Sequence, residues 1–167
     1  GTADVLEQNG IRLRRVQVWT GFPSMLGHRV ATLHPKVHGG ILARRDNVED
    51  QQDIAKYGLE LVDLVVVGLY PFQEVVAKGC SFEEAIENID VGGPTLIRAA
   101  AKNHKWVTVL TSQRQYHDLL CELKARNGCV SQATRSGLAL SAFVVTGEYD
   151  RAIRAYLATH EGYQAVA

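Results

Sequence analysis

The chain has 167 residues, 18 basic and 18 acidic side chains, 46% hydrophobic and 22% charged residues, which are values of a folded domain rather than a disordered tail. A net charge of zero excludes a bulk field that would gather nucleic acid or an anionic membrane. The longest apolar run, Leu61 to Tyr70, contains Asp63 and is about half the length of a bilayer span, so no membrane partner is expected.

Cys80, Cys121 and Cys129 are odd in number and show no CxxC spacing, which argues against a disulfide framework and a zinc site and fits a reducing cytoplasm. No basic n-region or apolar h-region follows Gly1, so no targeting segment is visible, and the chain reads as a fragment.

Thr2 to Gly10 favours a short helix, with Thr2 as N-cap and Asn9-Gly10 as its stop. Ile11, Leu13, Val16, Val18 and Trp19 predict a β-rich stretch whose interleaved arginines face solvent. Gly21-Phe22-Pro23 breaks the pattern, and the Pro and Gly residues through Gly40 predict a mostly functional loop. Val48 to Ala55 reads as helix, ending before Tyr57-Gly58. Leu61 to Val67 is a continuous β-branched run, the clearest strand, of the kind found inside parallel sheets. Ser81-Phe82-Glu83-Glu84 is a capping box that opens a helix toward Asn88. Thr95 to Lys102 reads as helix with Pro94 in its first turn, Trp106 to Leu110 as strand, Tyr116 to Arg126 as helix, and Val130 onward as mostly helix. Strands alternating with helices predict an α/β fold, a layered sandwich on a mostly parallel sheet.

In such sheets ligands gather beyond the carboxyl ends of strands. Two stretches lie there: Gly68-Leu69-Tyr70-Pro71-Phe72, and Asp90-Val91-Gly92-Gly93-Pro94-Thr95 before the Lys102 helix. Paired glycines let backbone approach a ligand, though a tight turn explains them equally. Asp90 and Lys102 form an acid-base couple if the fold joins them; otherwise Asp90 caps a helix and Lys102 is solvated surface. Tyr70 is either a buried tyrosine with a satisfied hydroxyl or a catalytic one. His34 and His38 have the i,i+4 interval of helical zinc motifs, but Pro35 and the glycines after His38 argue against one continuous helix, and no third ligand is evident, so no metal is expected.

The set Thr20-Gly21-Phe22-Pro23, Arg29-Val30, Thr32 to Gly40, Leu69 to Phe72, Ile89 to Thr95, Ala99 to His104, Ala142-Phe143 and Tyr149-Asp150 runs in order along nearly the whole chain. It resembles the IMP cyclohydrolase domain of bifunctional purine biosynthesis proteins. The resemblance implies a methylglyoxal-synthase-like three-layer α/β/α sandwich and closure of the second purine ring of 5-formamidoimidazole-4-carboxamide ribotide, giving IMP and water, with no cofactor. It implies Lys102 and Asp90 as proton-transfer partners and Tyr70 in the same polar network. Arg29, Val30, Ala31 and Thr32 fall in its substrate loop. Val67, Gly68, Val91, Gly92 and Gly93 match backbone contacts to substrate, and Gly1 ends a turn that holds the ribotide. It further implies a homodimer.

Three departures stand out. Ala31 replaces a lysine that polarises the formyl group, Gly68 an asparagine, and Ser24 a glutamate. Loss of one preorganised oxyanion donor costs roughly a hundredfold to a thousandfold in rate, so Ala31 alone predicts a slow or inactive domain. A noncatalytic ribotide-binding or scaffolding homologue is therefore the second expectation, and a relative acting on another small phosphorylated substrate a third. By the same resemblance, residues 1–167 are one domain lacking the family's first strand, phosphate loop, first helix and second strand, and no transformylase domain is present.

Overall fold

The computed structural model describes residues 2–160, 162 and 163. It opens with α1 (Thr2–Gln8), then an extended segment, α2 (Val16–Thr20), a long loop, α3 (Pro35–Leu42) and α4 (Val48–Tyr57). After β1 (Leu64–Val66) come α5 (Phe72–Ala77), α6 (Phe82–Glu87) and α7 (Gly92–Lys102). The chain then forms β2 (Thr108–Leu110), a single 3-10 turn (Gln113–Gln115), α8 (Tyr116–Ala125) and α9 (Gln132–Leu157).

β1 and β2 pair in parallel, with Leu64, Val65 and Val66 opposite Thr108, Val109 and Leu110. The α/β class with a parallel sheet is thus as expected. α7 packs on both strands and α9 covers β2. The core sits between them: Val65, Ile97, Ala100, Ala101, Val107, Val109, Ala139 and Ala142 are buried together, joined by Val37 and Ile41 of α3. The alanine run Ala99-Ala100-Ala101 lets α7 lie close against sheet and α9, since small side chains permit a short interaxial distance. β2 is buried along its length, whereas β1 alternates. Val65 faces the core, while Leu64 and Val66 lie on the opposite face and are 41% and 47% exposed. A strand rich in β-branched residues therefore has one face uncovered among the described residues.

Two expectations need correction. Ile11 to Trp19 is not a β-rich stretch: residues 11–15 are extended without a strand partner, and Val16–Thr20 is helix. With the arginines facing solvent and Val16 and Trp19 turned onto the core, spacing i,i+3 overrode β propensity. Nor is Thr32 to Gly40 mostly loop, because α3 begins at Pro35. His34 accepts from the Lys36 amide at 3.1 Å as N-cap, and proline is tolerated at the first helical position. The glycines are there for packing: a Cβ on Gly40 would fall inside contact with the Glu60 carbonyl oxygen, and one on Gly39 would lie 2.9 Å from Leu59 Cδ1. A close approach of this kind outweighs the helix cost of about 1 kcal/mol per glycine.

Candidate active site

Three segments meet at the start of α7. The Asp90 carboxylate, two residues before the helix, accepts from the Gly93 amide at 2.8 Å, and the Asp90 amide donates to the Tyr149 hydroxyl of α9 at 2.8 Å. A Cβ on Gly92 would lie 3.0 Å from Thr32 Oγ1. One on Gly93 would collide with Asp90 Oδ2 and lie 2.9 Å from Leu69 Cδ2. The Thr32 loop thus lies close against Gly92, and the Asp90 side chain and the Leu69 turn close against Gly93. The α7 N-terminus brings the Gly92 amide and the positive end of its dipole to this point, a setting that suits an anion or a developing oxyanion, while the Gly93 amide is taken by Asp90 and Pro94 has none.

The Thr32 loop arrives by a tight reversal. Met25 and Val30 form an isolated antiparallel bridge, and Leu26, Gly27 and His28 between them have φ of 53°, 63° and 75°. Leu26 and His28 pay a left-handed strain that non-glycine residues rarely bear away from functional loops. Ser24 Oγ lies 3.0 Å from His28 Nδ1 inside this reversal. Just beyond it, the Arg29 guanidinium engages the Glu87 carboxylate of α6 through both Nε and Nη2. Val30 is half-buried, Ala31 exposed, and Thr32 half-buried against Gly92.

Val67 extends the sheet by donating to the Leu110 carbonyl at 3.0 Å, and Gly68 follows, exposed. A Cβ on Gly68 would meet nothing within 4 Å, so a side chain there would stand in open space beside the loop. Tyr70 is 66% exposed and forms no hydrogen bond with Asp90 or Lys102. Val91 is 58% exposed at the helix start. Gly1 lies outside the described residues.

Lys102 is the residue that the fold does not bring to this point. It closes α7 while Asp90 precedes it, and at 1.5 Å rise per residue the helix separates the two by roughly 15 Å. α7 is unbroken, so both elementary readings are realised structurally: Asp90 holds a helix-start amide, and Lys102 complements the negative end of the dipole. Beside Lys102, buried Asn103 donates to the carbonyls of Ile41 at 2.7 Å and Ala43 at 3.0 Å, tying the ends of α7 and α3 together. His34 is the N-cap of α3 and His38 lies one turn on within it, and among the described residues no cluster of three His, Cys, Asp or Glu groups is suited to a metal ion.

Sequence reasoning left Tyr149 and Glu87 without roles. Tyr149 was visible only as part of a distant Tyr-Asp pair; its hydroxyl is held un-ionised beyond the ordinary tyrosine range by burial first, and then by the nearby carboxylates of Asp90 and Asp150. A separate cleft of about 360 Å³ between α5 and α6 is lined by Val75, Lys78, Gly79, Cys80, Glu84 and Asn88, and does not include the α7 glycines.

Residues 1–95 match the MGS-like domain family and residues 100–167 the AICARFT/IMPCHase bienzyme family. The bifunctional purine biosynthesis protein PurH of Polynucleobacter necessarius is 51% identical over 158 residues, 94% of this chain and 30% of that protein. PurH of Chlorobaculum parvum is 48% identical over 165 residues, 98% of this chain and 32% of that protein. The crystal structure of ForH superposes with a TM-score of 0.82 at 35% identity, covering 98% of this chain and 84% of that one. The chain thus spans about 30% of the length of the curated relatives it matches.

Proposed function

The chain belongs to the MGS-like domain family, in the form carried by bifunctional purine biosynthesis proteins, and on that premise we propose that it serves purine biosynthesis by IMP cyclohydrolase-type ring closure. The observation that carries the reading is the convergence of Thr32, Leu69, Asp90, Gly92 and Gly93 at the α7 N-terminus, in segments that run in the same order as the resemblance.

The reaction joins the carboxamide nitrogen of the formamido ribotide to its formyl carbon. The carboxamide nitrogen loses one proton as it bonds to the formyl carbon, the formyl oxygen passes through a tetrahedral alkoxide, and that oxygen leaves as water while the formamido nitrogen gives up its proton and forms the ring C=N bond. A carboxamide is a poor nucleophile, so proton removal and oxyanion stabilisation are the two demands. The Gly92 backbone, at the positive end of α7, is suited to the oxyanion; Asp90, half-buried and holding the Gly93 amide, is suited to proton transfer, and Lys102, its partner by resemblance, stands at the far end of α7. Arg29 and Thr32 are the side chains that the loop offers to the ribotide, with Val30, Ala31, Val67, Gly68 and Val91 contributing backbone. None of these steps asks for a metal or an organic cofactor. The reading also carries a homodimer and a cytoplasmic setting; among the described residues no helix is long and apolar enough to cross a membrane.

The test is conversion of the formamido ribotide to IMP, followed by ultraviolet absorbance. Turnover above the uncatalysed rate is expected, reduced at least roughly a hundredfold in Asp90→Asn. No turnover with IMP still bound favours the second reading, a noncatalytic ribotide-binding homologue, for which Ala31 and Gly68 are the specific observations. Neither turnover nor IMP binding removes both.

A further inference from the structure

The Arg29–Glu87 pair stands where the two halves of the site meet. Arg29 reaches Glu87, and Thr32 lies against Gly92, so the loop and the α6–α7 connection run side by side with Asp90 between the two contacts. Glu87 closes α6, and three residues on the Asp90 amide donates to the Tyr149 hydroxyl at 2.8 Å, which fixes that connection against α9. Arg29 rises from the reversal in which Leu26 and His28 hold positive φ. Its backbone is set on one side and its partner on the other, and the long side chain between them is the part that needs direction.

The pairing has a definite geometry. Glu87 takes Nε and Nη2 of Arg29, one carboxylate oxygen to each, which is one edge of the guanidinium fork. The other edge, Nη1 with the second N–H of Nη2, meets no acceptor among the described residues. As a brace the pair is poor: its side chains are 62% and 58% exposed, and exposed ion pairs add little stability. Glu87 also offsets the charge of Arg29, so a nearby anion gains little from the field of the pair. What Glu87 supplies is orientation of a side chain that otherwise loses rotamer entropy when a ligand fixes it.

We propose that Glu87 is a positioning residue: it holds the Nε–Nη2 edge of Arg29 so that the opposite edge meets paired oxygen acceptors of the ribotide beside Asp90. This rests on the ring-closure reading, from which Arg29 takes its task as a ribotide contact.

The affinity of the chain for IMP tests it, because the sign of one change separates the readings. Glu87→Gln removes a negative charge beside an anionic ligand, and charge alone, or a Glu87 that merely competes with the ligand for Arg29, calls for tighter binding. A positioning role calls for the reverse, binding weaker by roughly fivefold to tenfold, as Arg29 must then be ordered by the ligand itself. Equal or tighter binding overturns the proposal. Arg29→Lys keeps the charge and can still reach Glu87, but it has no second edge, and it is expected to weaken binding at least as much. Full affinity in Arg29→Lys reduces the pair to a tether for the loop and overturns the proposal as well.

A measurement on the unsubstituted chain needs no variant to fold. In the side-chain nitrogen resonances of the isotopically labelled chain, IMP is expected to shift Arg29 Nη while Nε stays where Glu87 holds it. A displaced Nε signal with Nη unmoved overturns the proposal. Weakened binding in both variants with no turnover in the unsubstituted chain keeps the role of Glu87 and refutes ring closure. Turnover with IMP held as tightly by Glu87→Gln refutes the role and leaves ring closure standing. No IMP binding by the unsubstituted chain overturns both.

Discussion

On the proposed ring-closure reading, position 31 separates having the site from having its full chemistry. Ala31 is exposed on the loop that leads into Thr32, and Gly68 has open space around it, so neither position is closed to a longer side chain. Ala31→Lys with Gly68→Asn is therefore expected to fold normally and to raise the ring-closure rate by roughly a hundredfold or more, read in the same absorbance assay. An unchanged rate in a folded double variant assigns the oxyanion task to the start of α7 at Gly92. Tyr149 makes a second prediction at this scale. Its hydroxyl accepts from the Asp90 amide, and its loss in Tyr149→Phe costs about 1 kcal/mol in denaturant unfolding. Because the folded-state pKa is raised above the ordinary 10.0, the contribution is complete below pH 10 and fades as pH rises through the folded value. The native chain should therefore lose stability above about pH 10 more steeply than Tyr149→Phe.

Among the elements, α7 organises most of the molecule: it covers the sheet, packs on α9, and carries the site at its start. Its first turn was legible because Pro94 and the glycine pair each have a local physical meaning, whereas the packing of Ala99-Ala100-Ala101 against sheet and α9 is a product of tertiary placement. The α6 capping box was equally legible, with Ser81 Oγ accepting from the Glu84 amide at 3.1 Å and Glu84 accepting from the Ser81 amide at 2.9 Å. α3 was not, because Gly39 and Gly40 oppose helix locally and are explained only by Leu59 and Glu60, twenty residues on. The Arg29–Glu87 pairing and the distance between Asp90 and Lys102 are likewise products of tertiary placement. Gly40→Ala is expected to be strongly destabilising, since backbone cannot yield as a side chain can. Asn103→Ala should cost about 1–3 kcal/mol, leaving two buried carbonyls at the end of α3 without their donor; thermal unfolding of the two variants checks both.

At the scale of the whole molecule, the described residues form a two-stranded parallel sheet with Leu64 and Val66 exposed on the side away from the core. The α/β class followed from the alternation of strands and helices, but sheet width did not, because strand pairing beyond β1 and β2 has no local signature. Ring closure on this chain requires that the α7 start and the Thr32 loop receive a purine ribotide. Titration of the isotopically labelled chain with IMP, read by amide chemical shifts, tests it independently of catalysis. The account predicts that the largest shifts fall on the amides of Thr32, Gly68, Gly92 and Gly93. Shifts centred instead on the cleft at Lys78, Gly79 and Cys80, or no shifts at all, would contradict it.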